Sequence, residues 1–157
     1  MVIRIAATQY SLGTKSFEVY VSGCKGNPHC SGCHNPELWD FKIGSIYNEK
    51  YFSYLKNRIK QFDILVDNIM VMGGEPLDQD INSLIKFLKD LKTLNKQIWL
   101  FTRFELEEIP EEVLSLCDYV KTGRYLKDLQ TDDNIQFGIE LASSNQKIFK
   151  LAERDNI

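Results

Sequence analysis

The sequence predicts an α/β fold: a mostly parallel sheet covered by helices and curled into a partial, open (βα) barrel. Three observations predict it. Extended apolar segments alternate along the chain with segments of helical periodicity, the arrangement of a parallel sheet covered by helices. The middle strands, residues 68–72 and 97–101, are continuous apolar runs, as strands buried on both faces are. Right-handed βα units joined in sequence curl toward a barrel, but 157 residues fall well short of the roughly 250 that eight units need.

Taken in order, residues 2–15 are weakly patterned, with a strand and a turn around Gly13. Phe17-Glu18-Val19-Tyr20-Val21 is rich in aromatic and β-branched residues and reads as the first well-marked strand, running directly into Ser22-Gly23-Cys24. Asn48 is suited to cap a helix in which Phe52, Leu55, Ile59 and Phe62 recur at helical spacing, with Lys and Arg opposite. The strand at 68–72 ends in Gly73-Gly74-Glu75-Pro76. Ile81, Leu84, Ile85, Leu88 and Leu91 then form one face of a second helix, capped by Asp78 or Asp80. The strand at 97–101 ends at Thr102-Arg103. Pro110 suits the first turn of a third helix, with Glu111 and Glu112 complementing its dipole, and that helix ends near Cys117-Asp118. Residues 119–122 form a fourth strand closed by Gly123, and residues 135–139 a fifth. The tail carries Ser143-Ser144-Asn145-Gln146 and then a short helical pattern.

With 43% hydrophobic and 26% charged residues, the composition is that of a globular chain and excludes a disordered one. A net charge of −3 argues against a nucleic-acid or anionic-membrane footprint. No apolar run approaches the eighteen or so residues that span a bilayer, and Met1-Val2-Ile3-Arg4-Ile5 lacks the regions of a signal peptide. The expectation is one cytoplasmic domain, residues 1–157, with a single buried core. In that compartment clustered cysteines point to metal binding or catalysis rather than disulfides.

Cys24, Cys30 and Cys33, in the pattern C-x5-C-x2-C, put three of the four cysteines within ten residues. Thiolates are soft ligands for zinc, copper(I) and iron–sulfur clusters. A structural zinc would take the three thiolates and His29 or His34 as its fourth ligand. A [4Fe–4S] cluster would take the three thiolates and leave one iron without a protein ligand. Cys117 stands alone at a helix end and fits a buried core residue. Gly73 and Gly74, after a buried strand, allow close approach to the backbone, or make a tight strand-to-helix turn. Cys24, Gly73, Thr102 and Lys121 all follow the C-terminal ends of strands, the rim on which barrel-type folds build active sites.

Cys30-Ser31-Gly32-Cys33-His34-Asn35-Pro36-Glu37-Leu38-Trp39 resembles the cluster loop of the radical S-adenosylmethionine (SAM) activases of glycyl-radical enzymes. Gly73-Gly74-Glu75-Pro76 matches that family's SAM-binding motif, and Ala142-Ser143-Ser144-Asn145-Gln146 resembles the Gly-Ser-Ser-Asn-Gln segment of the members acting on anaerobic ribonucleotide reductase. The resemblance runs from residue 17 to residue 151. It departs from the family in the first spacing, which is usually three residues and here is five, Lys25 to His29.

The resemblance implies a barrel of the radical SAM type and a [4Fe–4S] cluster held by Cys24, Cys30 and Cys33, with SAM chelating the open iron. Gly73, Gly74 and Glu75 would meet the methionyl group, and Gly74→Val would weaken SAM binding while leaving the iron content unchanged. His34 and Asn35 would lie beside the cluster, and Gly32 would reach SAM through its backbone. Thr102, Arg103 or Lys121 would meet the ribose or the carboxylate. The longer loop is expected to bulge outward, with His29 off the open iron. The implied activity is that of an oxidoreductase. Reductive cleavage of SAM yields a 5′-deoxyadenosyl radical that installs a glycyl radical on the large subunit of an anaerobic ribonucleotide reductase. A flavodoxin- or ferredoxin-type protein would donate the electron. Three other classes fit the same residues: an activase of another glycyl-radical enzyme, a radical SAM enzyme acting on a small molecule, and a zinc-binding module without catalysis.

Overall fold

The computed structural model describes residues 2–26 and 28–152. Strands β1 (Arg4–Ser11) and β2 (Ser16–Val21) pair antiparallel across a 3-10 turn at Leu12–Thr14, and the two-residue β3 (Ser45–Ile46) pairs with the other edge of β1. The chain then alternates as expected: helix α1 (Glu49–Gln61), β4 (Asn68–Gly73), helix α2 (Ile81–Lys92), β5 (Gln97–Phe101), helix α3 (Glu111–Leu114), β6 (Tyr119–Thr122). Strands β7 (Gln130–Gln136) and β8 (Ile139–Ser143) form a separate hairpin, and β9 (Lys147–Lys150) returns to the main sheet. That sheet runs β3-β1-β2-β4-β5-β6-β9. Its four central strands are parallel, and its flanking strands are antiparallel. The architecture is mixed α/β with helices that are few and short.

The two faces of the sheet are chemically distinct because strand side chains alternate. On one face Phe17, Val19, Val21, Ile69, Val71, Ile98, Leu100 and Val120 join Leu55 and Ile59 of α1, Leu84, Leu88 and Leu91 of α2, and Val113 of α3 in one buried cluster. Burying each such aliphatic or aromatic side chain stabilises the fold by about 1.5–3 kcal/mol. On the other face Met70 and Trp99 are buried with Leu141 of β8 and Ile148 of β9. Burial on both faces is why β4 and β5 read as continuous apolar runs.

The helix starts follow local chemistry. Asn48 caps α1 by accepting the Tyr51 N–H at 2.9 Å, and Asp80, not Asp78, caps α2 by accepting the Ser83 N–H at 3.1 Å. The third helix is a single turn: Pro110 sits at its cap rather than inside it, and its carbonyl accepts the N–H groups of Val113 and Leu114. The chain must by then turn into β6, because the Asp118 N–H already bonds to the Ile98 carbonyl at 2.8 Å.

Two expectations for the C-terminal part do not hold. Residues 135–139 are not a fifth sheet strand: Phe137 and Gly138 take φ of 50° and 79° and make the two-residue turn between β7 and β8. Positive φ at both central positions is the primed turn that matches hairpin twist. The tail is not helical either. Ile148 packs on the hairpin side of the sheet and Phe149 against the helix side, a period of two, and β9 covers the β6 edge that would otherwise be unpaired. Among the described residues no helix is long and apolar enough to cross a membrane.

Candidate functional site

A cavity of about 290 Å³ lies at the C-terminal ends of β2, β4, β5 and β6. Tyr20, Met72, Phe101 and Lys121, from four adjacent parallel strands, line its base. Cys24, Cys30, Cys33, His34 and Asn35 form the wall contributed by the loop after β2. Gly73, Gly74, Glu75, Thr102 and Arg103 line it from the ends of β4 and β5, and β8 contributes Glu140 and Leu141. Every site residue expected from the sequence therefore reaches this cavity except Gly32. Gly32 sits at φ 75° in an exposed turn closed by the Cys33 N–H on the Cys30 carbonyl at 3.1 Å.

The cysteine loop is tied down from several directions. The Gly23 and Cys24 N–H groups donate to the carbonyls of Leu38 and Trp39 at 2.8 and 3.2 Å, folding the loop back on itself. The Lys25 N–H donates to Asp78 at 2.8 Å. Gln79 is buried, and its amide donates to the carbonyls of Ser22, Gly23 and Glu75. Arg124 reaches from beyond β6 to the Pro28 carbonyl at 2.7 Å. His29 stacks on Trp39, with centroids 4.0 Å apart and planes at 11°, and its Nε2 lies 2.7 Å from the Cys24 carbonyl. The middle of the lengthened loop, Asn27, lies outside the described residues. Asp78, Gln79 and Arg124 carried no site signal in the sequence, since each reaches residues distant along the chain; Trp39 closed the cluster-loop motif, but its stacking on His29 was not legible there.

Glu75 is buried, and its carboxylate accepts three hydrogen bonds: Leu77 N–H at 3.0 Å, Thr102 Oγ1 at 2.7 Å and Arg103 N–H at 2.7 Å. Arg103 Nη1 adds an ion pair at 3.4 Å, so Glu75 ties the end of β4 to that of β5. Burial pushes its pKa up, and the three hydrogen bonds and the Arg103 charge oppose that rise. Arg103 is held by Asp78 through both terminal nitrogens, at 2.7 and 3.3 Å, and its Nη1 lies 3.5 Å from Cys24 Sγ. Burial pushes the Cys24 thiol up, while the Gly26 backbone and the Arg103 guanidinium draw it down. The Lys121 ammonium donates to the carbonyls of Thr102 and Gly123 at 3.2 and 3.0 Å, and burial pushes its pKa down to about 8.

Ser143-Ser144-Asn145-Gln146 is the turn from β8 to β9, and its side chains clamp it to the segment after β6. Gln146 is buried: its carbonyl oxygen accepts the Ala142 and Ser143 N–H groups at 3.1 Å, and its amide donates to the Gly123 carbonyl at 3.1 Å. Asn145 donates to the Arg124 carbonyl at 2.8 Å, and Ser143 Oγ accepts the Leu126 N–H at 3.2 Å.

The three thiols are donors of the kind that a multi-iron cluster or, with a fourth ligand, a zinc ion would take. The three thiols are free, partly exposed and on one cavity wall. Among the described residues no three His, Cys, Asp or Glu side chains are grouped to hold a single metal ion. Cys117 is buried apart from them, its thiol pushed up to about 12 by burial.

Comparison with known proteins agrees with this arrangement. The profile of the family described as "4Fe-4S single cluster domain" matches residues 12–149, taking in the cysteine loop, every strand end on the cavity and the clamped turn. The chain is 27% identical over 141 residues to the anaerobic ribonucleoside-triphosphate reductase-activating protein of Haemophilus influenzae, covering 85% of this chain and 87% of that protein. The Pasteurella multocida protein of the same name is 26% identical over 143 residues, covering 86% and 87%. That of Vibrio cholerae is 25% identical over 138 residues, covering 84% and 85%.

Proposed function

The chain belongs to the 4Fe-4S single cluster domain family, and from that premise we propose that it is a radical SAM activase of an anaerobic ribonucleotide reductase. The relatives' names support the partner, and their coverage of 84–86% of this chain supports carrying the activity over. One observation carries the reading: three free thiols line the same cavity as the residues at the ends of three further parallel strands. That arrangement supports a partial, open (βα) barrel of the radical SAM type.

Cys24, Cys30 and Cys33 would hold a [4Fe–4S] cluster. Gly73, Gly74, Glu75, His34, Asn35, Thr102 and Lys121 would border the SAM that chelates it. When bound, the cofactors would pass one electron from an external donor to SAM, releasing methionine and supplying a 5′-deoxyadenosyl radical able to take a hydrogen atom from a glycine of the partner's large subunit. The chain's own contribution is position and shelter. Met72, Phe101 and Leu141 give the cavity an apolar lining that excludes water. Glu75, bonded to Thr102 and the Arg103 backbone, sets the spacing of the β4 and β5 ends. Lys121 presents a cation at the cavity base, where a carboxylate can be received. No side chain is required as a general acid or base. A flavodoxin- or ferredoxin-type donor supplies the electron, and the cytoplasm, where thiols stay reduced, is the compartment for the reaction.

Anaerobic reconstitution tests the reading. The wild-type protein should take up about four irons and four sulfides per chain and, once reduced, release 5′-deoxyadenosine from SAM. Replacing Cys24, Cys30 or Cys33 by Ala should abolish that release, and Cys117→Ala should not. One tightly bound zinc and no iron would return the chain to the class of non-catalytic zinc modules.

A further inference from the structure

We infer that Arg103 is a positioning residue that tunes the cluster through Cys24, rather than a ligand for the SAM carboxylate. The inference rests on the reading of Cys24 as a cluster ligand. Arg103 follows β5 immediately, and its side chain is only 12% exposed. Its guanidinium is fixed on three sides. Asp78 grips it through two nitrogens at 2.7 and 3.3 Å, Glu75 lies 3.4 Å from Nη1, and the Phe104 ring covers it at 4.5 Å. A bidentate carboxylate holds an arginine in one orientation. That orientation directs Nη1 at Cys24 Sγ, 3.5 Å away.

Asp78 also accepts the Lys25 N–H at 2.8 Å. The carboxylate that orients Arg103 therefore also holds the residue after Cys24, and donor and sulfur are tied to one anchor. An arginine meant to receive the SAM carboxylate would keep its fork open, whereas here both terminal nitrogens are already committed to a carboxylate. Two carboxylates offset the guanidinium charge, but the N–H remains directed at the sulfur. Hydrogen bonds to cluster sulfurs stabilise the reduced, more negative state and raise the potential.

The test is a redox titration of the reconstituted cluster without SAM, followed by electron paramagnetic resonance. Arg103→Met should shift the midpoint potential to a more negative value at unchanged iron content. Arg103→Lys, which keeps the charge on a shorter donor, should fall between Met and wild type. A Met variant that loads iron normally and titrates at the wild-type potential would overturn the inference. Should the Met variant take up no iron, the Lys variant decides: a more negative potential supports the inference and a wild-type potential overturns it. Wild-type protein that binds no four-iron cluster would instead overturn the reading of the cysteines, a result separate from any variant's potential.

Discussion

Lys121 is a charged residue inside a β-strand, facing the cavity base between two backbone carbonyls. Its ordinary pKa of 10.5 is pushed down to about 8, mainly by burial. The sign of the stability effect follows from proton counts. Between about 8 and 10.5 the unfolded chain binds the proton that the folded chain has lost, so stability rises with pH through this window. Below about 8 both states are protonated and the buried charge carries its full cost. Relative to Lys121→Met, the wild-type unfolding free energy should therefore climb by about 1–2 kcal/mol from pH 8 to pH 10.5, the full shift being discounted because the side chain faces an open cavity. Urea unfolding of both proteins across that range measures it, and parallel curves would mean Lys121 is not desolvated. At the same scale, Glu75 and Thr102 stood out in the sequence as neighbours of strand ends. Their bond to each other, across 27 residues at 2.7 Å, did not.

The end of β4 shows how an element can look like a ligand site and also be a packing site. An added Cβ on Gly74 would lie 2.4 Å from the Gly23 carbonyl oxygen and 2.6 Å from that of Leu38. At Gly73, whose φ is 121°, it would meet the Val21 backbone at 2.3 Å. Gly73 thus admits the β2 backbone and Gly74 the chain's own cysteine loop, and both also line the cavity. The contacts of Gly74 therefore predict, against the expectation from the sequence, that Gly74→Val lowers the iron content as well as SAM binding. Gly74→Ala should cost about 1–3 kcal/mol of stability, as overpacking does, and lower the iron taken up on reconstitution. Iron content equal to wild type would show that Gly23 and Leu38 move aside freely. The clamped turn at 143–146 has the same character: its polar letters serve hydrogen bonds to the segment after β6 and to β8.

At the scale of the molecule the two faces of the sheet divide the work. The large core lies with the helices, and the cavity opens on the other face beside a smaller apolar cluster. Folding should therefore not depend on the cluster, unlike small domains in which metal binding is the folding energy. Iron-free protein should unfold cooperatively in urea and keep slow hydrogen exchange in β4 and β5. Loading the cluster should raise the midpoint by mass action and add protection mainly in residues 24–39. Loss of β4 and β5 protection on chelation would sink this division.

What the sequence by itself determined is local. The aromatic and β-branched run of β2, the apolar runs of β4 and β5, the cap at Asn48 and the order of cysteines, glycines and strand ends depend on neighbours along the chain. Tertiary structure decided what depends on distant partners. The tail became β9 because the edge of β6 was open to pairing, and residues 135–139 became the closed end of the β7–β8 hairpin, turning at Phe137 and Gly138, because β7 and β8 pair with each other rather than with the main sheet. Asp78 became an arginine clamp rather than a helix cap because β5 delivers Arg103 beside it. His29 was drawn onto Trp39 by a loop that doubles back on itself. A hydrogen bond or stacked ring between residues far apart leaves no periodic trace in the chain, so only the folded arrangement could assign these partners.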